Sequence, residues 1–459
     1  MKEEYDIAII GSGPAGYTAG LVAGKKGLKT LLVEKKNLGG TCLNVGCIPT
    51  KAIIQAAYSY LQVKESEKYG YKAHISEFDL EKVMHFSFRA VENLKKQIMY
   101  LIDRAGIEYC SGKVSFSSNK EISIDDSNGI NRKIVAKNYI IASGSQPKIA
   151  PFFPYNGKNC ILSKDLFLLK KLPEEIAIIG GGAIGVEFAY ILNAFGVKTT
   201  ILEMTDYILP LSDREISRYF ERILQKKGIV IQTGAPVQKI DCDDKNCSVI
   251  FTKNGEEQKI NANLVLSAMG RVPFIKDLFI ENTGVEVKNG FISVNESFQT
   301  AQKNIYAIGD VISSPMLAHV AEKEAHAVIN YIAGEDKDKI DYCAIPYAVY
   351  TVPQYASFGL SEEEVKKETT DYVIGKSFYK ANPMAVATGE TEGIVKIICS
   401  KKNLSILGAH LVGSHTTDLI HEILLARNTG ITAQDIVHTI HAHPTFSEAI
   451  RDACRTVVC

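Results

Sequence analysis

An α/β architecture, with two parallel-sheet units and a C-terminal α+β domain, follows from three observations on the 459-residue chain. Residues 5–16 read YDIAIIGSGPAG and residues 174–185 read EEIAIIGGGAIG, each a short apolar run, a glycine turn and the start of an apolar helix. An acidic residue, Glu34 or Glu203, ends a second apolar run 23 residues after the first glycine of its copy. From about Tyr342 onward, strand patterns are followed by helical ones, which reads as a further domain. Two Rossmann-like dinucleotide-binding domains are therefore expected.

Each glycine has a separate duty. Gly11 and Gly180 permit the tight turn, Gly13 and Gly182 let backbone approach a pyrophosphate, and Gly16 and Gly185 let helix pack on strand. The phosphates then rest on a helix N-terminus. At the end of the second copy Glu203 suits ribose hydroxyls and repels a 2′-phosphate, and the following MTDYI contains no arginine, which favours NAD over NADP.

Between the two copies lie two long helical patterns, at about 51–66 and 79–105, expected to cover a sheet face, then short strands and YIIASGSQP. After the second copy, alternating stretches near 229–268 end in LVLSAMGRVP, where Gly270 reads as a chain reversal back to the first domain. The strand-like NIYAIGD ends at Asp310, and a helix follows PMLAH.

Composition excludes several classes. Lysine plus arginine equals aspartate plus glutamate at 52 each, so no net field draws nucleic acid or an anionic membrane. No apolar run approaches the roughly 18 residues of a membrane span, and the start MKEEYD lacks a secretory pattern. Ten cysteines are too dilute for a disulfide scaffold, so the expected location is the reducing cytoplasm.

Two of those cysteines, Cys42 and Cys47, stand in GGTCLNVGCIPTK, shortly after Glu34. A thiol pair exchanges two electrons at once, so a neighbouring carrier must accept two. Five residues along an ideal helix separate Cα atoms by about 8.6 Å, beyond the roughly 7 Å that a disulfide tolerates. A bonded pair therefore needs an interrupted helix, which Gly46 and Pro49 permit.

Together, GSGPAG, GGTCLNVGCIPTK, GGGAIGVE, AIGD and HAHPTFSE resemble the flavin disulfide reductases over essentially the whole chain, and most closely their dihydrolipoamide-oxidising branch. The resemblance implies an FAD-binding domain in residues 1–147 and 273–340, an NAD-binding domain in 148–272 and a dimerisation domain in 341–459. It implies FAD at Gly11, Gly13, Gly16 and Glu34, with Gly112, Ser143, Gly144 and Ser145 as further contacts. Asp310 would bind the ribitol chain, and the helix opened by Met316, Leu317, Ala318 and His319 would face the flavin pyrimidine edge. NAD would lie on Gly180, Gly182, Gly185 and Glu203, with Val237 and Gly270 beside it. Lys51 and Glu187 match the family pair next to flavin N5.

The same resemblance implies a homodimer that oxidises lipoylated proteins, the E2 component of a 2-oxoacid dehydrogenase or a glycine-cleavage H protein. The chain starts directly on its first strand, so no lipoyl domain of its own is expected. His443 of one subunit would deprotonate the substrate dithiol, with Glu448 orienting its ring. The substrate thiolate would attack Cys42 and release Cys47, which faces the flavin. Six of the ten histidines fall between His410 and His443, yet their spacing suggests no metal site, and His441 reads as structural.

Ala183 stands where glutathione-reducing relatives carry an aromatic gate, and Phe274 and Gln354 also depart from the commonest residues. Cys454 and Cys459 repeat the five-residue spacing of the active pair, but residues 447–457 read as a helix, so ordinary cysteines are expected there rather than a terminal shuttle. The rival readings are a reductase of glutathione, thioredoxin or a metal ion, and a subunit that keeps the fold without the chemistry.

Overall fold

The structure, a computed structural model, describes residues 3–126, 129–335 and 339–458. The chain forms two compact units, each assembled from three segments.

The first unit comprises Met1–Ala52, Glu81–Lys148 and Gly270–Ile340. Strand Glu3–Ile10 pairs in parallel with Thr30–Glu34 on one side and Asn131–Ile141 on the other. Glu108–Ser118 extends the sheet beyond Thr30–Glu34, and the late strand Ile305–Ala307 extends it beyond Asn131–Ile141. Strand Glu121–Asp126 joins Glu108–Ser118 to Asn131–Ile141 as an antiparallel meander. Ile7, Ile9, Leu31, Leu32 and Ile140 are fully buried, which is why these strands read as unbroken apolar runs instead of alternating. Helix Pro14–Lys25 buries Ala15, Ala19 and Ala23, small residues that allow close packing against helix Ala318–Ile332.

The second unit comprises Ile53–Leu80, Ile149–Met269 and Asp341–Cys459. Its parallel sheet runs in the order Val230–Gln232, Lys198–Leu202, Glu175–Ile179, Leu264–Ser267, Cys160–Leu162. A meander of Val237–Cys242, Cys247–Lys253 and Glu256–Ala262 follows helix Arg214–Lys226. The C-terminal part is a five-stranded antiparallel sheet whose Val395, Ile397 and Leu411 pack on Ile420 and Ile450 of helices Thr416–Asn428 and Glu448–Val458. The expected α/β class holds.

Lys396 is fully buried in that C-terminal sheet, and its ammonium contacts Asp213 at 2.9 Å, Glu215 at 2.9 Å and Glu362 at 2.7 Å. Asp213 also caps helix Arg214–Lys226 by accepting from the Ile216 N–H. A buried charge persists only with such pairing.

Candidate active site

Both glycine turns are built alike. Gly11 has φ +102°, and a Cβ there would lie 2.3 Å from the Ala142 carbonyl oxygen; Gly180 has φ +111° and the same conflict with Ala268 at 2.4 Å. A Cβ on Gly16 would sit 1.8 Å from the Gly11 oxygen, and one on Gly185 2.0 Å from the Gly180 oxygen. Gly13 and Gly182 differ from these: each is the N-cap of a 12-residue helix with no side chain bonded to the helix end, and each faces open space. Free N–H groups at a helix N-terminus beside a space without side chains form an anion cradle. Both cradles fit the pyrophosphate of a dinucleotide.

The acidic residues brace these turns. Glu34 accepts from the Ser12 N–H at 2.9 Å, the Ser12 hydroxyl at 2.7 Å and the Lys36 N–H at 2.8 Å. Glu203 accepts from the Gly181 N–H at 2.6 Å and from the N–H and hydroxyl of Thr205, both at 2.8 Å. Each carboxylate thus ties its glycine turn to the end of the second strand.

The thiol segment is anchored on the first cradle. The Gly39 N–H donates to the Ser12 carbonyl at 3.0 Å, and a Cβ on Gly40, at φ +61°, would meet the Gly13 Cα at 2.8 Å. Helix Gly40–Val45 carries Cys42 and stops at Gly46, whose φ and ψ of −136° and −117° are not helical. Helix Cys47–Lys64 then starts anew. A Cβ on Gly46 would lie 2.7 Å from the Thr41 oxygen and 3.0 Å from the Cys42 Cα, so only glycine lets the chain fold back this tightly. The interruption expected at Gly46 is present, and Cys42 and Cys47 are not disulfide-bonded but are joined by a hydrogen bond.

Their environments differ. The bond to Cys47 pushes the Cys42 thiol up, and burial adds to this, while the Lys51 ammonium one turn further on opposes it. Cys47 is the first residue of an 18-residue helix, where the helix dipole favours a negative sulfur. The contact with Cys47 and burial thus disfavour a Cys42 thiolate, whereas Cys47 sits at a helix N-terminus.

Asp310 follows strand Ile305–Ala307 and accepts a short hydrogen bond from the Ser145 hydroxyl. Arg271 donates to that hydroxyl and to the Ser145 carbonyl, both at 2.7 Å, and lies 3.9 Å from Asp310. Burial lowers the Arg271 pKa, and the charges of Asp310 and Cys47 oppose that shift. The fully buried Glu324 of helix Ala318–Ile332 accepts from the Gly309 N–H at 2.6 Å and sets the turn that presents Asp310. Leu317 is the N-cap of the same helix, Met316 precedes it and His319 is exposed. Ser143 donates to the Phe274 carbonyl at 2.7 Å, and Gly144, at φ +70°, faces open space. Gly112 lies in strand Glu108–Ser118, where a Cβ would meet Ile124 at 2.6 Å, so packing alone requires glycine there.

In the second unit Glu187 is 5% exposed on helix Ala183–Ala194 and accepts from the Tyr350 N–H at 3.1 Å. Val237 opens the meander, half-buried. Gly270, in the first unit, has φ +91° with open space beside it, and its carbonyl accepts from the Lys148 N–H.

His443 Nδ1 lies 3.2 Å from Glu448 Oε1. Glu448 also accepts from the Thr445 N–H at 3.0 Å and from Arg451 at 3.3 Å. Burial pushes its carboxyl up, but the Thr445, His443 and Arg451 contacts outweigh burial and hold it below the usual range. The His443 side chain is 66% exposed whereas that of Glu448 is 5% exposed, so a fixed carboxylate orients a ring whose Nε2 is directed away from it. His441 bonds the Thr439 carbonyl and Glu422, as a structural residue would. Cys454 is fully buried in helix Glu448–Val458, and Cys459 lies outside the described residues.

Residues 5–325 match the family described as pyridine nucleotide-disulphide oxidoreductase, and residues 345–454 match its dimerisation domain. The chain belongs to this family. Dihydrolipoyl dehydrogenase of Bacillus subtilis is 38% identical, covering 99% of this chain and 98% of its own. The mitochondrial dihydrolipoyl dehydrogenase of Pisum sativum is 39% identical over 98% of this chain and 91% of its own. Among solved structures, the flavoprotein disulfide reductase RclA of Escherichia coli superposes with a TM-score of 0.88 at 28% identity, covering 99% of this chain and all of the other. LpdA of Mycobacterium tuberculosis shares the fold with a TM-score of 0.91 at 22% identity, covering 98% and 99% of the two chains. Oxidoreductases of this family employ FAD and NAD(H), and the two cradles accommodate one dinucleotide each.

Sequence reading missed four contributors: Ser12, which links Glu34 to the thiol segment; Gly40, packed on Gly13; Arg271 beside Asp310; and Glu324 beneath it. Only Arg271 carried a signal, a lone cation within the MGRVP reversal.

Proposed function

We propose that this oxidoreductase oxidises dihydrolipoyl groups on partner proteins and reduces NAD, with Cys42 and Cys47 as the exchanging pair and His443 as the base. The observation that carries this reading is the unequal thiol pair set across the Gly46 break, one sulfur held protonated and the other at a helix N-terminus. Full-length similarity to dihydrolipoyl dehydrogenases selects the substrate class.

His443 of one subunit takes a proton from the substrate dithiol, and Glu448 holds the ring and balances the charge it gains. The substrate thiolate bonds to Cys42 of the oxidised Cys42–Cys47 pair, and the sulfur–sulfur bond breaks towards Cys47. The second substrate thiol then displaces Cys42, leaving the lipoyl disulfide and a reduced pair. Bound FAD supplies the two-electron link between this pair and NAD. Gly11, Gly13, Gly16 and Glu34 shape the FAD cradle, with Ser143, Gly144, Ser145 and Asp310 along its length. Gly180, Gly182, Gly185 and Glu203 shape the NAD cradle.

The exposure of His443 in the single chain supports a role across a subunit boundary, and the dimerisation domain supplies the homodimer. The proposed domains are residues 1–147 and 273–340 for FAD, 148–272 for NAD and 341–459 for the dimer contact. Among the described residues no helix is long and apolar enough to cross a membrane. Cys42, Cys47, Cys110, Cys160, Cys343, Cys399 and Cys454 carry no disulfide, which supports the cytoplasm as location, while Cys242 and Cys247 are bonded to each other.

Anaerobic titration of the purified flavoprotein by NADH and by dihydrolipoamide tests the reading. Both are expected to bleach the flavin reversibly, and Cys47→Ser is expected to retain flavin while losing reduction by dihydrolipoamide. Turnover of dihydrolipoamide by Cys47→Ser would overturn it.

A further inference from the structure

Three other cysteines meet in the second unit, remote in sequence from the active pair. Cys242 and Cys247 face each other across the first hairpin of the meander and are disulfide-bonded. Cys160, at the start of strand Cys160–Leu162, places its Sγ 3.2 Å from that of Cys242 and 3.9 Å from that of Cys247. Cys160 and Cys247 are buried, whereas Cys242 is half-buried.

The two distances separate two chemistries. A thiol poised to attack a disulfide lies in line with the bond, and its distances to the two sulfurs then differ by about the bond length of ~2.05 Å. Here they differ by 3.9 − 3.2 = 0.7 Å, so Cys160 sits beside the bond. Three sulfurs in a triangle are the arrangement of ligands around one centre. A zinc ion with tetrahedral bonds of about 2.3 Å places its sulfurs ~3.8 Å apart, and the Cys160 to Cys247 separation already has that value. The sulfur atoms all lie within 4.8 Å of one another, so opening the disulfide only has to let Cys242 move outward.

The surroundings are fixed by hydrogen bonds. Asn156 Oδ1 accepts from the N–H groups of Lys158, Asn159 and Cys160. Asn159 donates from its side chain to the Asp243 carbonyl at 2.6 Å, which ties the loop before Cys160 to the hairpin turn. The Cys247 sulfur sits 3.7 Å from the Asn159 carbonyl oxygen. Burial pushes the Cys160 thiol up, to about 11.

We propose that Cys160, Cys242 and Cys247, once the Cys242–Cys247 bond is reduced, form a three-thiolate site for a thiophilic d10 cation such as zinc, with a fourth position open on the half-exposed Cys242 side. The site has two forms, disulfide without metal and trithiolate with metal. A dithiol converts the first to the second by giving two electrons and two protons to the sulfur pair and becoming a disulfide itself. Each of the three thiols gives up its proton when it binds the cation, and the cation's charge replaces that proton. Strand Val237–Cys242 ends in this site, so the metal would clamp the meander to the edge of the parallel sheet.

The test uses the flavin-loaded protein in a Cys42→Ser, Cys47→Ser background, so that the active pair contributes no ligand. After reduction with a phosphine and anaerobic desalting, cadmium is titrated as the probe while its ultraviolet thiolate charge-transfer band and bound metal per chain are followed. One cadmium per chain is expected, displaced by zinc, and adding Cys160→Ser is expected to abolish the band while flavin content and thermal midpoint stay near the parent's. Should Cys160→Ser fail to fold, Cys242→Ser, at the half-exposed corner, carries the same expectation. A reduced parent that binds no cadmium, or binding undiminished by loss of a cluster cysteine, would overturn the proposal.

Discussion

Replacing Glu448 with glutamine isolates the contribution of the orienting carboxylate. One oxygen of Glu448 receives His443 and Arg451 at 3.2 and 3.3 Å, and the other receives the Thr445 N–H at 3.0 Å. Glutamine keeps one acceptor, but its amide presents N–H groups where two donors already point, and the negative charge is gone. A hydrogen bond to a charged group contributes about 1.5–3 kcal/mol. Solvent around the 66% exposed imidazole reduces this, leaving about 1–2 kcal/mol. At 1.36 kcal/mol per decade that is a 5- to 30-fold loss. Rapid mixing with dihydrolipoamide should show flavin reduction slowed by about that factor in Glu448→Gln, while NADH oxidation with an artificial electron acceptor, which bypasses the thiols, is unchanged. Equal slowing of both reactions, or no slowing with dihydrolipoamide, would refute the orienting role.

Gly182→Ala places a methyl group in space that the protein leaves open, so it should raise the KM for NAD about 10- to 100-fold, or 1.4–2.7 kcal/mol, with flavin content unchanged. Gly185→Ala, whose Cβ would be 2.0 Å from a carbonyl oxygen, should instead lower the thermal midpoint, and calorimetry separates the two effects. Lys396→Met leaves the fully buried Asp213 without its cation and should cost about 3–5 kcal/mol by chemical denaturation. Burial disfavours ionisation of Asp213, Glu215 and Glu362, yet all three are held below their ordinary values, Asp213 by His410, Lys396 and the Glu362 N–H, and the two glutamates by their bonds to lysines. Their contribution is complete above the ordinary carboxylate pKa of about 4 and is lost as pH falls through the depressed folded values, so wild type should lose stability in that acid window and Lys396→Met should show a smaller loss. The double variant Cys454→Ser, Cys459→Ser should turn over dihydrolipoamide at the wild-type rate, since Cys454 is enclosed in the core.

The parts legible in the sequence are those that one ligand or one backbone requirement imposes at fixed spacing. The spacing of Gly16 and Gly185 from the first glycine of each turn, the acids that close the turns and the Gly46 break are local: each is decided within a few dozen residues, the glycines by contact with nearby backbone and the acids by hydrogen bonds to the turn. What escaped reading depends on approach between distant segments. Arg271 meets Ser145 across 126 positions, and Cys160 meets Cys247 across 87. Cys242 and Cys247 carry the five-residue spacing of the active pair, yet that spacing spans a hairpin, where direct cross-strand pairing brings the residues together without distortion. The long helix Leu80–Arg104 was expected to cover a sheet. Among the described residues its last turns, through Ile98, Met99 and Ile102, join the first core.

A Cβ added at the matching glycines of the duplicated turns would meet carbonyl oxygens at distances that agree to within 0.2 Å, 2.3 against 2.4 Å and 1.8 against 2.0 Å. Two receptors so nearly congruent cannot tell one diphosphate from another. Discrimination between a flavin and a nicotinamide coenzyme must therefore reside where the partners differ, at the ring ends. Exchanging the glycine turns between the halves would leave each half faithful to its own coenzyme.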